Sequence, residues 1–98
     1  MDREAFEAIE RIIGFAKGPG GQSRFAADFI LACWNADAHG GFDPVALSRV
    51  DDPVPGDALI VLEAMFRRPL AFRLDDFRSE IYELERRYRD TGNDPGLR

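Results

Sequence analysis

Cysteine and histidine are almost absent from this sequence, which contains only Cys33 and His39. A lone cysteine excludes a disulfide within the chain, and its position in an apolar run predicts a buried, reduced thiol suited to a reducing cytoplasm. Transition-metal sites usually need three or four cysteine, histidine or carboxylate ligands. The only such cluster close in sequence is Asp37, His39 and Asp43, so we expect no metal site.

Signatures of catalysis and of phosphate binding are also missing. The three serines fit helix or cap positions, and no nucleophile, base and orienting residue can be recognised from the spacing. The glycine-rich residues 18–21 lack the Gly-Lys-Ser/Thr ending of a phosphate-binding loop. We therefore expect a protein that is not an enzyme and needs no cofactor.

Long apolar runs and an excess of basic charge are likewise absent. No run approaches the ~20 residues of a membrane-spanning helix, and the charged start of the chain does not resemble a signal peptide. With 18 acidic and 13 basic residues, the net charge is −5. Such a domain repels nucleic-acid phosphates, so a protein with a basic surface is the more natural partner. A net charge of this size is also typical of small domains in which it serves only to maintain solubility.

The composition that is present predicts a folded domain. Apolar residues make up 45% and aromatic residues 11% of the 98 positions, which is enough for one modest core. We assign residues 1–92 to a single helical domain and residues 93–98 to a flexible tail.

Apolar periodicity predicts an all-α bundle, because five segments repeat at helical spacing between caps or breakers. The second helix is apolar on nearly every side and is expected to be central. Asp28, the lone charge in its middle, is expected to mark its solvent side, with a buried ion pair as the alternative. Residues 70–74 alternate in polarity but have no second strand to pair with, so we expect an extended connector. The predicted helices cover residues 2–17, 24–35, 44–49, 58–68 and 76–89.

Side-chain roles follow from these boundaries. Ser23, Asp43 and Asp57 precede predicted helices and are expected to be N-caps. The third helix is expected to bury Val45 and Leu47. The aromatic residues expected in the core are Phe29, Trp34 and Phe42. The apolar face expected for the fourth helix consists of Leu59, Leu62, Met65 and Phe66.

Residues 34–44 contain the nearest approach to a ligand motif. An EF-hand calcium loop started at Asn35 would place Asp37, His39, Gly40, Phe42 and Asp43 at its third, fifth, sixth, eighth and ninth positions. The twelfth position, which needs a bidentate Glu, is Ala46, and the imidazole at the fifth is a poor calcium ligand. The stretch therefore favours a connection between two helices, with a degenerate EF-hand-like ion sensor as an alternative.

Six carboxylates are candidates for binding a partner protein. They stand at or near predicted helix starts, where the helix dipole stabilises exposed negative charge. On one shared face they would imitate the phosphates of a nucleic acid, although separate capping roles explain most of them one by one. The six residues are Asp51, Asp52, Asp57, Asp75, Asp76 and Glu80.

The run Trp34-Asn35-Ala36-Asp37, followed by Gly40-Gly41-Phe42-Asp43, resembles a small uncharacterised family found on proteobacterial mobile elements and phages. The closing Arg86-Arg87-Tyr88 is similar to the Arg-Arg-aromatic end of that family's last helix. The resemblance covers about residues 25–89, and Pro53-Val54-Pro55 departs from the pattern. It implies a genomic setting and no assigned activity.

That setting implies that the protein acts by binding to a host protein and covering its functional surface. Host nucleases and surveillance complexes expose basic grooves that a small acidic domain can fill. We therefore expect an inhibitor of a host nucleic-acid-binding protein, of the anti-CRISPR or anti-restriction kind. A structural or assembly module, or a homodimer without inhibitory role, is the alternative from another class.

Overall fold

The computed structural model describes residues 2–69 and 71–90, and within these ranges the chain forms helices and no strand. The predicted all-α class, with five helices, is confirmed. The predicted domain boundary at residue 92 and the predicted tail lie outside the described residues. The helices are α1 (Arg3–Ala16), α2 (Ser23–His39), α3 (Pro44–Ser48), α4 (Val54–Arg67) and α5 (Arg78–Glu85), with a 3-10 turn at Asp75–Phe77 and a π-helix at Arg86–Asp90.

Helix α1 begins where its sequence predicts. The Asp2 carboxylate accepts a hydrogen bond from the Ala5 N–H at 2.8 Å and so caps the first turn. Its apolar stripe is almost completely buried. The buried residues of α1 are Ala5, Ala8, Ile9, Ile12, Ile13 and Ala16.

Helix α2 is interrupted at Asn35, close to its predicted end. The backbone there is extended, at φ −163° and ψ 87°, and the Asn35 side chain accepts from the Ala38 N–H at 3.2 Å. One more helical turn follows before Gly40, whose φ of 79° is the left-handed conformation that favours glycine. The predicted helix-to-helix connection therefore contains this extra turn.

The core is shared between α1 and α2. Helix α2 packs against α1, α3 and α5, in agreement with its predicted central position, while α1 packs against α2, α4 and α5. Because α4 and α5 hardly touch each other, α1 lies between them. Phe29 of α2 is fully buried, with its ring edge-on to Phe42 at 5.0 Å between centroids.

Two core predictions need correction. Trp34 and Phe42 are half-buried rather than largely buried, and the Trp34 indole lies against the exposed Tyr82 at 6.4 Å. Trp34 stands at the break in α2, where the helix leaves the core. The Val45 side chain is 57% exposed, while Leu47 is buried as predicted.

The buried face of α4 is not the predicted one. The helix begins at Val54, four residues early, because Pro55 is compatible with a first helical turn. It buries Val54, Ala58 and Val61, whereas Leu59 and Phe66 are 68% and 77% exposed. The sequence offers two apolar stripes on this helix, and the stripe with small side chains faces the core because it lets α4 approach α1 closely.

None of the helices in the described ranges is long and apolar enough to cross a lipid bilayer.

Candidate functional site

Asp57 is the one candidate partner-binding residue that the structure removes from the surface. Both oxygens of its buried carboxylate accept hydrogen bonds from the Arg11 guanidinium, at 2.9 and 3.0 Å. The hydrogen-bonded Asp57 raises the pKa of Arg11. The predictions that Asp57 caps a helix and is available to a partner are wrong, because α4 begins three residues earlier and turns this side chain towards α1.

The remaining candidates form two separate groups. The α4 acidic site consists of Asp51 and Asp52, which lie exposed before α4. The α5 acidic site consists of Asp75 and Asp76, which are exposed in the 3-10 turn, and Glu80, which is half-buried in the first turn of α5. In the described ranges Asp51, Asp52 and Asp76 have no ion-pair partner, and Asp75 lies 3.6 Å from Arg78.

The two acidic sites lie against different parts of α1. Asp51 lines a cleft with Phe15, whereas Phe77, next to Asp76, packs its ring against Phe6 at 4.7 Å between centroids. Phe77 and Glu80 also border residues 10–17 of α1, so the α5 acidic site extends along α1 from the level of Phe6 to that of Phe15.

The connection at residues 34–44 has structural partners for its polar atoms. His39 Nε2 lies 2.7 Å from the Glu85 carboxylate, which joins the end of α2 to α5. The Asp43 carboxylate accepts from the Val45 and Ala46 N–H groups at 3.0 and 3.2 Å, as predicted for the N-cap of α3. Within the described residues, no group of three or more His, Cys, Asp or Glu side chains is placed to hold a metal ion.

Replacing Asp43 by alanine tests the capping role against the calcium alternative. The variant is expected to lose about 0.5–2 kcal/mol of unfolding free energy, because two backbone N–H groups lose their acceptor. Urea melts with and without millimolar calcium give the measurement, and the loss should be the same in both. A wild-type stabilisation by calcium that disappears in Asp43→Ala would establish the ion-binding alternative.

Ser23 and Asp28 of α2 bond to the closing segment of the chain. The Ser23 hydroxyl donates to the Gly20 carbonyl at 2.6 Å and lies 2.9 Å from the Tyr88 hydroxyl, so its predicted N-cap role is wrong. Asp28 does not mark an open solvent side, because it forms a 2.7 Å ion pair with Arg89. Both partners lie in the π-helix that ends the described chain.

Two residues of the closing Arg-Arg-Tyr sequence, Arg87 and Tyr88, hold the end of α1. Tyr88 donates from its hydroxyl to the Ala16 carbonyl at 2.7 Å, and Arg87 donates to the Lys17 and Gly18 carbonyls. These are carbonyl groups at the end of α1, which a helix leaves without partners of its own. The segment therefore caps α1 from a distance of about 70 positions in sequence.

Cys33 is less buried than its apolar surroundings predict. It is half-buried beside the core, and desolvation raises the pKa of its thiol to about 11. At neutral pH almost all of the group is therefore protonated, which disfavours reaction as a nucleophile.

Helix α4 exposes two large apolar side chains, Leu59 and Phe66. Pro55, Leu59, Leu62 and Phe66, here named the α4 stripe, recur at helical spacing and lie within about 60° of one another around the helix axis. The stripe borders a groove of about 340 Å³ between α3 and α4, here named the α3–α4 groove. The groove is lined by Phe42, Pro44, Leu47, Ser48, Pro55, Ala58, Leu59 and Leu62.

The sequence-based prediction missed this surface because it placed Leu59, Leu62 and Phe66 on the buried face of the fourth helix. One signal was available: Val54, Ala58 and Val61 form a second apolar series at helical spacing on the same helix. A helix with two such series in a chain this short cannot bury both against one neighbour.

The structure thus defines a small all-α domain whose surface features are two acidic sites and one apolar helix stripe. The chain belongs to a family of unknown function, DUF7673, whose model matches residues 6–89. The match spans both the 34–44 connection and the closing Arg-Arg-Tyr. Comparison with curated proteins and with solved structures gives no significant match.

Proposed function

We propose that this protein is a non-enzymatic interaction domain, carried by a phage or mobile element, that binds a basic surface of a host nucleic-acid-binding protein and blocks it. This is the action of an anti-CRISPR or anti-restriction inhibitor in the cytoplasm. The observation that carries the proposal is the exposure of Asp51, Asp52 and Asp76 without an ion-pair partner in the described ranges. Carboxylates left unpaired at the surface are available to lysine and arginine side chains of another protein.

The presence of two acidic sites on different elements supports a partner that is itself extended. Basic grooves for nucleic acid present several lysine and arginine side chains to successive phosphates. The acidic sites before α4 and at the start of α5 offer carboxylates to more than one position in such a groove. The net charge of −5 also opposes direct binding of nucleic acid by this chain.

Charge reversal at each acidic site tests this function once a partner has been captured from host lysate and purified. Asp75→Lys/Asp76→Lys and Asp51→Lys/Asp52→Lys are each expected to lower the association rate constant about tenfold or more at low salt. The dissociation rate constant should change less, because exposed charges act mainly on encounter. Stopped-flow or surface-based kinetics at several salt concentrations give both constants.

The control has the same overall charge but leaves both acidic sites intact. Glu4 and Glu63 are exposed on α1 and α4, so Glu4→Lys/Glu63→Lys also brings the net charge from −5 to about −1. Its association rate should stay much closer to that of the wild type. If the association rate constant changes neither with the two site reversals nor with salt concentration, the proposal is contradicted and an apolar interface is indicated.

A further inference from the structure

A cleft of about 190 Å³ lies between the second half of α1 and the start of α5. A cavity of about 150 Å³ accepts one benzene-sized group, so a cleft of this volume has room for one side chain of another protein. It is here named the Gly14 cleft, and it is lined by Glu10, Ile13, Gly14, Lys17, Phe77 and Glu80. A single protruding side chain, rather than a whole helix, is the occupant that fits its size.

Gly14 keeps this cleft open. It lies inside α1, two positions before the last helical residue, and its φ is not positive. A Cβ built on Gly14 would meet no atom within 4 Å outside the neighbouring helix backbone, so the packing of the fold does not require glycine here. Glycine is less favourable than alanine inside a helix, and one of its uses is to let a ligand approach the backbone closely. The open space beside Gly14 is therefore better explained by an occupant than by the fold.

The lining of the cleft combines an aromatic side chain with two carboxylates. Phe77 is buried, while Glu10 of α1 is exposed and Glu80 of α5 is half-buried. Within the described ranges neither glutamate has an ion-pair partner. Lys17 lines the cleft two helical turns after Glu10, and its ammonium group lies 3.2 Å from the carboxylate of Glu83. Because Lys17 has this partner, the cleft keeps an excess of negative charge.

These groups match the side chain of an arginine. The guanidinium is a planar fork with five N–H donors, so it can bond to carboxylates from two helices at once, and its face stacks on aromatic rings. Its methylene stem can cover the apolar Ile13 and Phe77 while the charged end lies at the two glutamates. A lysine ammonium is a point charge that has neither the fork nor the stacking face.

We propose that the Gly14 cleft receives one arginine side chain of the host protein, whose guanidinium bonds to Glu10 and Glu80. This inference rests on the proposed function for the source of the arginine, and it names a specific contact within the α5 acidic site. Asp75 and Asp76 act mainly on the rate of encounter, because they are exposed. The arginine in the cleft acts mainly on the lifetime of the complex, because contacts shielded from water govern dissociation.

Titration of the isotope-labelled chain with N-acetyl-arginine amide, followed by NMR, tests the cleft without the host partner. The amide signals of Gly14 and Glu80 are expected to shift along a saturable curve, with a dissociation constant in the millimolar range. N-acetyl-citrulline amide is the matched probe, since it has nearly the same shape and no charge, and it should give no saturable shift. The proposal is overturned if the arginine probe gives no saturable shift at Gly14, or if the citrulline probe shifts it equally.

Gly14→Ala places a methyl group in the cleft without weakening the helix, because alanine is the better helix former. It is expected to raise the dissociation constant for the arginine probe about tenfold, as one extra carbon does in a filled pocket. Gly56→Ala is the matched control, since Gly56 is a helical glycine of α4 that also has open space beside it and lies outside the cleft. Thermal melts should show that neither variant is less stable than the wild type. Equal affinity of the two variants for the probe refutes the cleft.

Neutral substitutions test the carboxylates in the same titration. Glu10→Gln/Glu80→Gln should abolish the saturable shift at Gly14, because the guanidinium loses both charged acceptors. Glu4→Gln/Glu63→Gln removes the same number of charges from outside the cleft and should leave the shift in place. If both double variants bind the probe equally, the binding is a general effect of net charge and the proposed contact is wrong.

The captured host protein separates this inference from the proposed function. Gly14→Ala should raise the dissociation rate constant of the complex about tenfold and leave the association rate constant near that of the wild type. If association depends on salt and on the acidic sites while dissociation is unchanged by Gly14→Ala, the cleft contact is refuted and the proposed function stands. If the arginine probe binds at Gly14 but no host protein with a basic surface is captured, the cleft is supported and the proposed function fails.

Discussion

Replacing Phe29 by alanine is expected to lower the free energy of unfolding by about 3–5 kcal/mol, the usual cost of truncating a buried aromatic residue. Phe29 is fully buried in α2 and has the largest of the fully buried side chains. Its ring also contacts Phe42 edge-on, so the change leaves a cavity beneath the connection to α3. Domains of this size have about 5–15 kcal/mol of stability, and the variant should therefore unfold at much lower urea concentration.

Phe25→Ala on the same helix is the matched control for this measurement. Phe25 is 36% exposed and lies one turn before Phe29. Its truncation should cost roughly 1 kcal/mol or less, since little new cavity is formed. If Phe29→Ala lost less than about 1 kcal/mol, the placement of α2 in the core would be wrong.

Local signals in the sequence predicted much of the fold. Asp43 is a predicted capping residue whose hydrogen bonds reach only two or three positions along the chain. The apolar series of α1 is also local, because it depends on neighbouring residues alone. The predicted ends of all five helices lie within four residues of the observed ones for this reason, and α4 begins four residues earlier than predicted because Pro55 is compatible with a first helical turn.

Long-range pairing could not be predicted from one sequence. Arg11 and Asp57 are 46 positions apart, and nothing in the local pattern of α4 distinguishes Asp57 from the exposed Asp51 or Asp52. Which of the two apolar stripes of α4 is buried could not be predicted either, because it depends on how closely α4 can approach α1, a helix distant in sequence. Leu59 and Phe66, which are exposed, were for this reason assigned to the core.

The closing segment is a further long-range feature, and its removal is expected to have the second large effect on stability. A chain ended after Glu85 loses the Tyr88 hydrogen bond to Ala16, the Arg89 ion pair with Asp28 and the half-buried Tyr88 ring. Hydrogen bonds of this kind contribute about 0.5–1.5 kcal/mol each, and burial of a large side chain about 1.5–3 kcal/mol. The Arg87 bonds are exposed to solvent and contribute less.

Because the Tyr88 ring is only half-buried, the expected loss is about 2–4 kcal/mol, to be measured by urea melts against a chain ended after Asp90. That control retains the whole π-helix, so it separates the contribution of residues 86–90 from that of the residues beyond them. Tyr88→Phe in the full chain should cost about 1 kcal/mol, because the Ala16 carbonyl loses its donor while the ring stays in place. Equal stability of the two shortened chains would show that the Arg-Arg-Tyr segment does not hold the end of α1. The arginines of this segment would then be available to contact a partner protein instead of stabilising the fold.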